Sequence, residues 1–377
     1  MTQHVVCTRC VMDTSDPDIQ FDAEGVCNHC RAADVLLPRY RFSADESRKR
    51  LEEIAARLKK AGRGKPYDCV LGMSGGVDSS FAAHVAAQLG LRVLVIHFDN
   101  GWNSEIAVSN IKKVVEKCGF ELHTYVINWP EFRDVQRAFI KASVVDIEMV
   151  TDHAIFAAMF RTASQRHIRY VLSGTNRATE HGMPRMWLWR KQDLVNLKAI
   201  HRRFGTARLK TFPMLGSFRA AMYTKLGLGL EYVEILNNLN YRKTSAIEEL
   251  KRVYGWRYYG GKHYESVFTK FYQAYILPIK FGIDKRKVHL SDLVRNGEIT
   301  RQEALVELAK PLYAPEELRA DREYVLKKLG FSDIEFEEIL SAPPVVHTYY
   351  PSDQIAVRCA QRIVSMFVKK DRAPLST

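Results

Sequence analysis

Between positions 68 and 176, short unbroken apolar runs take turns with longer stretches in which apolar residues recur every three or four positions. Asp68 to Leu71, Leu91 to Phe98, Glu121 to Ile127 and Ile168 to Leu172 read as buried strands. The segments between them read as helices. Ser79 to Gly90 carries Phe81, Val85 and Leu89 on one face, and Ser104 to Cys118 carries Ile106, Ile111, Val114 and Val115. Pro130 can open a third helix to about Ala142, and Ala154 to Ser164 forms a fourth, with Thr151 or Asp152 as its N-cap. Strands alternating with helices predict an α/β fold built on a doubly wound parallel sheet.

From Met186 onward strand-like runs are few. Helical patterns recur at Gln192–Arg203, Tyr232–Leu239, Ser245–Tyr254, Val267–Leu277, Arg301–Leu308, Pro315–Leu329 and Gln354–Val368. Ahead of the sheet, residues 43 to 62 place Leu51, Ile54, Ala55 and Leu58 on one narrow apolar face, as in a linking helix. There is no internal repeat and no low-complexity tract.

The 377-residue length suffices for two domains and a sizeable core. The most apolar later stretch, Leu215 to Leu236, is interrupted by Arg219, Lys225, Glu231 and Glu234, so no membrane span is expected. Met1-Thr2-Gln3-His4 shows no basic-then-apolar leader pattern, and a cytoplasmic protein is expected. A net charge of +13 favours anionic partners such as nucleotides, nucleotide sugars or nucleic acid, without choosing among them.

Four of the seven cysteines lie in the first thirty residues as two Cys-x2-Cys pairs, Cys7/Cys10 and Cys27/Cys30. That spacing suits a tetrahedral four-thiolate zinc site built from two knuckles, with Asp22-Ala23-Glu24-Gly25 as a hairpin turn between them. So short a segment cannot bury a core, and metal would hold it together. A four-thiolate site has no open position, so its zinc is structural. Iron–sulfur ligation is the minor alternative. The chain then divides into a zinc ribbon (1–40), a linking helix (41–66), a sheet domain (67–190) and a mainly helical region for substrate or partner (191–377).

The candidate chemistry centres on Ser74-Gly75-Gly76-Val77-Asp78-Ser79, between the first strand and its helix. Glycines let backbone approach a ligand, hydroxyls donate, and the helix start offers unpaired amides and a positive dipole end. Such a loop suits a multiply charged phosphate. The Lys-Ser or Lys-Thr pair of the kinase-type loop is missing. At the ends of later strands stand Asp99, suited either to a nucleotide contact or to capping the next loop, and Ser173-Gly174-Thr175-Asn176. Gly174 and Thr175 are candidates for nucleotide contact, and Glu180 and His181 follow in a loop of the kind that carries chemistry. His153 suits either a satisfied helix-end position or a catalytic role. In Tyr258-Tyr259-Gly260-Gly261-Lys262-His263, two glycines before Lys and His suggest a loop folded over a ligand, although a surface turn reads equally well.

The loop at 74–79 resembles the pyrophosphate (PP) loop of the ATP pyrophosphatases. Cys-Thr-Arg-Cys-Val-Met-Asp-Thr-Ser-Asp-Pro at 7–17, the second Cys pair, Ser-Gly-Thr-Asn at 173–176 and Tyr-Tyr-Gly-Gly-Lys-His at 258–263 complete a more specific pattern. Over nearly its whole length the chain is similar to the N-acetyl sugar amidotransferases of bacterial surface-polysaccharide synthesis. The resemblance implies an adenine-nucleotide hydrolase-like sheet, ATP and Mg2+ as reactants, and a nucleotide-linked acetamido sugar as acceptor. AMP would be transferred to the acetamido oxygen, ammonia would displace it to give an acetamidino group, and AMP and pyrophosphate would leave. The loop residues, Val77 among them, with Asp78 would hold pyrophosphate, Asp99 would meet the adenosine side, and Lys262 would offset charge on the leaving group. No cysteine stands in a glutaminase nucleophile context, so ammonia would come from separate glutaminase and cyclase-like subunits. The competing readings are a tRNA thiolase, which would need further catalytic cysteines, and an ATP-binding scaffold without turnover. Nucleic acid is not the expected partner.

Overall fold

The computed structural model describes residues 4–226, 229–261 and 264–368. Five strands, β1 (Cys69–Gly72), β2 (Val93–Asp99), β3 (Glu121–Val126), β4 (Tyr170–Ser173) and β5 (Glu231–Glu234), form one parallel sheet in the order β3-β2-β1-β4-β5. Val70 pairs with Leu94 on one side and Val171 on the other. Successive strand residues feed opposite cores: Val70, Leu94 and Val171 pack on one face, and Leu71, Val95 and Leu172 on the other. Burial on both faces is why these strands are continuous apolar runs. Strand order reverses between β1 and β4, so their carboxyl ends open the crevice where doubly wound sheets bind ligands.

The expected crossover helices are present as Val77–Gln88, Glu105–Cys118, Trp129–Lys141 and Met149–Gln165. The first is not one-sided. Phe81 and Leu89 are only partly buried, while Ala82, Ala83, His84, Val85 and Ala86 are enclosed, because small alanines let the sheet and the helix Lys243–Tyr254 approach from different sides. The fourth helix starts five residues before Ala154, so Thr151 and Asp152 lie inside its first turn rather than capping it. The linking helix is Ala44–Ala61, closed by a capping box between Ser43 and Glu46.

The helix expected at Tyr232–Leu239 is instead β5 followed by a short 3-10 turn, Ile235–Asn238. Its apolar spacing fits a helix, but β4 offers an open edge, and backbone pairing from Tyr170↔Glu231 to Ser173↔Glu234 takes the segment. Sheet residues therefore come from beyond position 190. The rest of the second half is helical. Val267–Phe281 runs as one helix with a π turn at Tyr272–Ile276, ahead of Pro278, which has no amide to donate. The basic turn at 281–286 is structural in part: Gly282 (φ +67°) ends that helix, and Arg286 pairs with Asp284 and the carbonyl of Lys310.

The cysteine segment folds on itself through bridges Val6↔Asp13 and Phe21↔Cys27, with Gly25 (φ +76°) completing the expected turn. It docks on the C-terminal helices. The Arg301 guanidinium donates to the carbonyls of Cys7 and Cys10, Val11 N–H donates to Ser291 Oγ at 3.1 Å, and Lys287 pairs with Asp13. Among the described residues no helix is long and apolar enough to cross a membrane.

Candidate active site and structural metal site

The loop after β1 is shaped by contacts on three sides. Gly75 (φ +83°) sits where a Cβ would lie 2.5 Å from the Ala107 carbonyl oxygen, so only glycine lets the loop rest on the second crossover helix. Ser74 N–H donates to Ser79 Oγ (3.3 Å), and Gly76 N–H to Ser74 Oγ (3.2 Å). Gly76 precedes the helix Val77–Gln88 and offers no side-chain cap, leaving the first amides directed into the crevice. Across it, Gly174 approaches so closely that a Cβ would meet the Asp78 carbonyl carbon at 2.7 Å and Ser79 N at 2.8 Å. The two strand ends form a cup of about 180 Å³ lined by the loop, Ser173 to Thr175, Glu180, Lys243, Tyr259 and Glu265.

Asp78 is fixed by donors from distant segments. Its Oδ1 accepts Tyr241 Oη–H at 2.6 Å and Asn176 Nδ2–H at 3.2 Å. Burial first, and the facing Asp78 carboxylate second, raise the Tyr241 pKa well above its ordinary value, so the phenol stays a donor. The 256–266 segment crosses the mouth of the crevice. Trp256 Nε1–H donates to the Gly75 carbonyl (3.2 Å), and Tyr259 Oη accepts from Val77 N–H (3.3 Å). Ser74 Oγ–H donates to Glu265 Oε1 (3.4 Å), while Asn103↔Ser266 bridges the segment to the loop after β2. Of the expected loop, Tyr259 reaches the cup, while Lys262 and His263 lie outside the described residues.

The cup opens into a cavity of about 600 Å³ that shares Ser74, Ser79, Ser173, Gly174 and Glu265 with it. The lining of this cavity includes apolar residues (Ile96, Ile155, Met159 and Leu172) and a charged group (Glu148, Asp152, Lys191 and Lys285). Lys191 Nζ sits 2.7 Å from Asp146 Oδ2 and 3.0 Å from Asp152 Oδ2. Burial opposes its charge, but these two carboxylates win and hold its pKa above the ordinary lysine value.

Two sequence-derived candidates stand apart from this arrangement. His153 is buried with Nδ1 on the Lys191 carbonyl (2.7 Å) and Nε2 accepting from Leu215 N–H (3.2 Å). Burial lowers its pKa, and with both nitrogens taken by backbone it fixes loops rather than moving protons. Asp99 turns back on its own loop, accepting from Gly101 N–H at 2.9 Å, and lines a separate depression with Lys112 and Thr124. That is a turn contact and not the helix cap that the sequence also allowed, since Ser104 caps Glu105–Cys118 by accepting from Ala107 N–H. The structure brings together Ser74, Gly76, Val77, Asp78, Ser79, Gly174, Thr175 and Glu180. Tyr241, Lys243, Tyr259, Glu265, Lys191 and Lys285 were not legible as site residues. Arg242-Lys243 stood out only as part of a basic region, Tyr259 and Glu265 only by lying in or beside the double-glycine motif at 258–263, and Lys285 only within a basic turn, while Tyr241 and Lys191 carry no local motif.

At the amino end, the four cysteine sulfurs all lie within 4.8 Å of one another. Cys7 Sγ to Cys30 Sγ is 3.9 Å and Cys10 Sγ to Cys27 Sγ is 3.7 Å. These are far too long for disulfides and close to the edge of a tetrahedron with bonds of about 2.3 Å, roughly 3.8 Å, expected for a zinc tetrathiolate. Backbone amides of Arg9, Cys10 and Cys27 point at Cys7 Sγ, donors suited to a thiolate. The donor set fits zinc.

A glycine- and serine-rich cup thus stands at the reversal of a parallel sheet. Residues 64–176 match the family described as asparagine synthase, and residues 265–364 that described as LPS biosynthesis protein WbpG-like, C-terminal domain. Each match covers under a third of the chain, the first over β1 to β4 and the glycine loop and the second over the C-terminal helices. No curated protein matches it. Among solved structures it is similar to an NH3-dependent NAD synthetase from Campylobacter jejuni subsp. jejuni NCTC 11168, at 17% identity, covering 35% of this chain and 58% of that one, with TM-score 0.28. It is also similar to an NMN synthetase from Francisella tularensis, at 13% identity, covering 62% of this chain and 93% of that one, with TM-score 0.31. The chain thus spans less than two thirds of that NAD synthetase, and at these TM-scores neither likeness bears on the function.

Proposed function

We propose that the protein adenylates the acetamido oxygen of a nucleotide-linked sugar and lets ammonia displace AMP, giving an acetamidino sugar, AMP and pyrophosphate. The observation that carries this is a small cup lined by hydroxyls and glycines that shares five lining residues with a larger cavity of mixed apolar and charged lining. An amide oxygen is a poor leaving group, and transfer of AMP from ATP onto it, with release of pyrophosphate, makes displacement by ammonia feasible. The cup amides, Ser74, Ser79 and Lys243 would take the β and γ phosphates. Gly174 and Thr175 would flank the nucleotide. Mg2+ would offset phosphate charge, and the carboxylates of Asp78, Glu180 and Glu265 around the cup are the residues suited to hold it. Lys262, three positions after Tyr259 in the sequence, is the proposed partner of the leaving pyrophosphate.

The ammonia is proposed to come from separate glutaminase and cyclase-like subunits. In support, Cys69 lies within β1, where burial pushes its thiol pKa up, and burial also raises Cys118. Neither is a ready nucleophile. The zinc ribbon is proposed to be structural, and a cytoplasmic location would give access to ATP and nucleotide sugars.

The test is mass spectrometry of nucleotide-linked acetamido sugars incubated with protein, ATP, Mg2+ and an ammonium salt. A product lighter by about one dalton, with pyrophosphate released in step, is the expected result. Release of orthophosphate in place of pyrophosphate, or no change in any sugar of a broad panel, would overturn the reading.

A further inference from the structure

The charged group lining the large cavity has a chemical logic of its own. Glu148 and Asp152 are four residues apart at the start of the helix Met149–Gln165, which sets both carboxylates on one face. They are not alike. Glu148 Oε2 is engaged by Lys285 Nζ and Gln273 Nε2, each at 3.1 Å. Asp152 meets Lys191 through Oδ2 at 3.0 Å, and its side chain lines the cavity. Lys191 is in turn anchored by Asp146, which is itself 1% exposed and hydrogen-bonded through Oδ2 to Trp189 N–H.

The proposed reaction has a charge requirement that this group meets. The O-adenylyl intermediate keeps its amide N–H and carries an iminium charge. Ammonia adds to the carbon, forming the new C–N bond and a positively charged nitrogen. That nitrogen must lose one proton, and the C–O bond breaks with its electron pair leaving on AMP. The product amidine is a cation. A carboxylate at the acceptor carbon therefore serves twice, taking the proton and facing the cationic product.

We infer that Asp152 is the base that takes the proton from the attacking ammonia and the counter-ion of the acetamidinium product, with Lys191 and Asp146 as the residues that position it. Burial pushes the Asp152 pKa up, with Glu148 and Asp146 adding to the shift and Lys191 opposing it, the direction a proton acceptor requires. The inference rests on the reaction proposed above and adds a named residue to its second half.

The experiment compares wild type with Asp152→Asn and Asp152→Glu in two steps of one reaction. The first step is exchange of labelled pyrophosphate into ATP, dependent on the acetamido sugar and without ammonia. The second is amidine formation with ammonium, or amidoxime formation with hydroxylamine, a nucleophile that is neutral at pH 7. In Asp152→Asn the ratio of amidine formation to exchange should fall by about 100-fold or more. Amidoxime formation should fall much less, and Asp152→Glu should restore part of the ammonia rate. Equal losses in exchange and amidine formation, equal losses with both nucleophiles, or an unchanged ratio would each overturn the assignment. Wild-type protein that shows neither exchange nor amidine would overturn the underlying reading, and the assignment with it.

Discussion

The Tyr241 hydroxyl donates to Asp78 Oδ1 across 2.6 Å, joining the segment just after β5 to the first turn of the helix that begins the phosphate cup. The phenol is 3% exposed and has no water to replace the bond. Removing it leaves the carboxylate held by Asn176 at 3.2 Å among the contacts described above. A hydrogen bond to a charged group contributes roughly 1.5–3 kcal/mol, so Tyr241→Phe should lower kcat/KM for ATP by about 10–100-fold. Pyrophosphate release at varied ATP measures it. An unchanged value would mean that Asp78 needs no such anchor.

Gly174 predicts a steric effect. Its missing Cβ would stand 2.7 Å from backbone of Asp78, and backbone yields less easily than a side-chain tip. Gly174→Ala should force β4 away from the start of the helix Val77–Gln88, costing about 1–3 kcal/mol in stability. ATP should then raise the melting temperature less than it does in wild type. Differential scanning fluorimetry with and without ATP reads both effects.

The cysteine site predicts one zinc per chain by elemental analysis. Cys27→Ser should lose the metal and lower the melting temperature. Arg301→Ala should keep it, because Arg301 holds the carbonyls of Cys7 and Cys10 rather than the sulfurs. Loss of that clasp should instead speed proteolysis between the ribbon and the helix Ala44–Ala61. Equal zinc loss in both variants would show that docking and metal binding are one event.

His347 predicts acid sensitivity with a defined sign. Its Nε2 accepts from Asp146 N–H (3.3 Å), so Nδ1 carries the proton toward Asn196 Oδ1 (3.0 Å) and the ring is neutral. Burial lowers its pKa from 6.5 to about 4. The unfolded chain therefore binds the extra proton first as pH falls. Stability is full above about pH 6.5, declines between there and about pH 4, and levels off below for this group. The total is roughly 3 kcal/mol. Urea unfolding at pH 7 and pH 5 should show the decline, and His347→Gln should flatten it. The same slope in the variant would assign it to other buried histidines, such as His153 and His181, whose pKa values burial also lowers.

Several elements were legible because their signals are local. The apolar runs of β1, β2 and β4 reflect strands covered on both faces, and the Ser-Gly-Gly-Val-Asp-Ser loop fixes where backbone must approach a ligand. Two Cys-x2-Cys pairs announce a metal knuckle at any position in a chain. The helix Met149–Gln165 was legible in kind but not in extent, since its first turn is polar on the side facing the cavity. That same polarity hides Asp152, which looks like a cap from sequence and lines the cavity in the fold.

The amino-acid sequence by itself determined the parallel sheet, the phosphate loop and the cysteine site, because each depends on spacing within a few consecutive residues. Tertiary structure alone decided that Glu231–Glu234 becomes a strand, since an open edge at β4 outweighs helical spacing. It alone decided that His153 and Asp99 turn away from the crevice, and that Tyr241, Lys243, Tyr259, Glu265 and Lys191 converge there. Those residues lie up to 191 positions from the loop they meet, and which side chains meet across such distances is set by how helices pack on the sheet, not by any pattern along the chain.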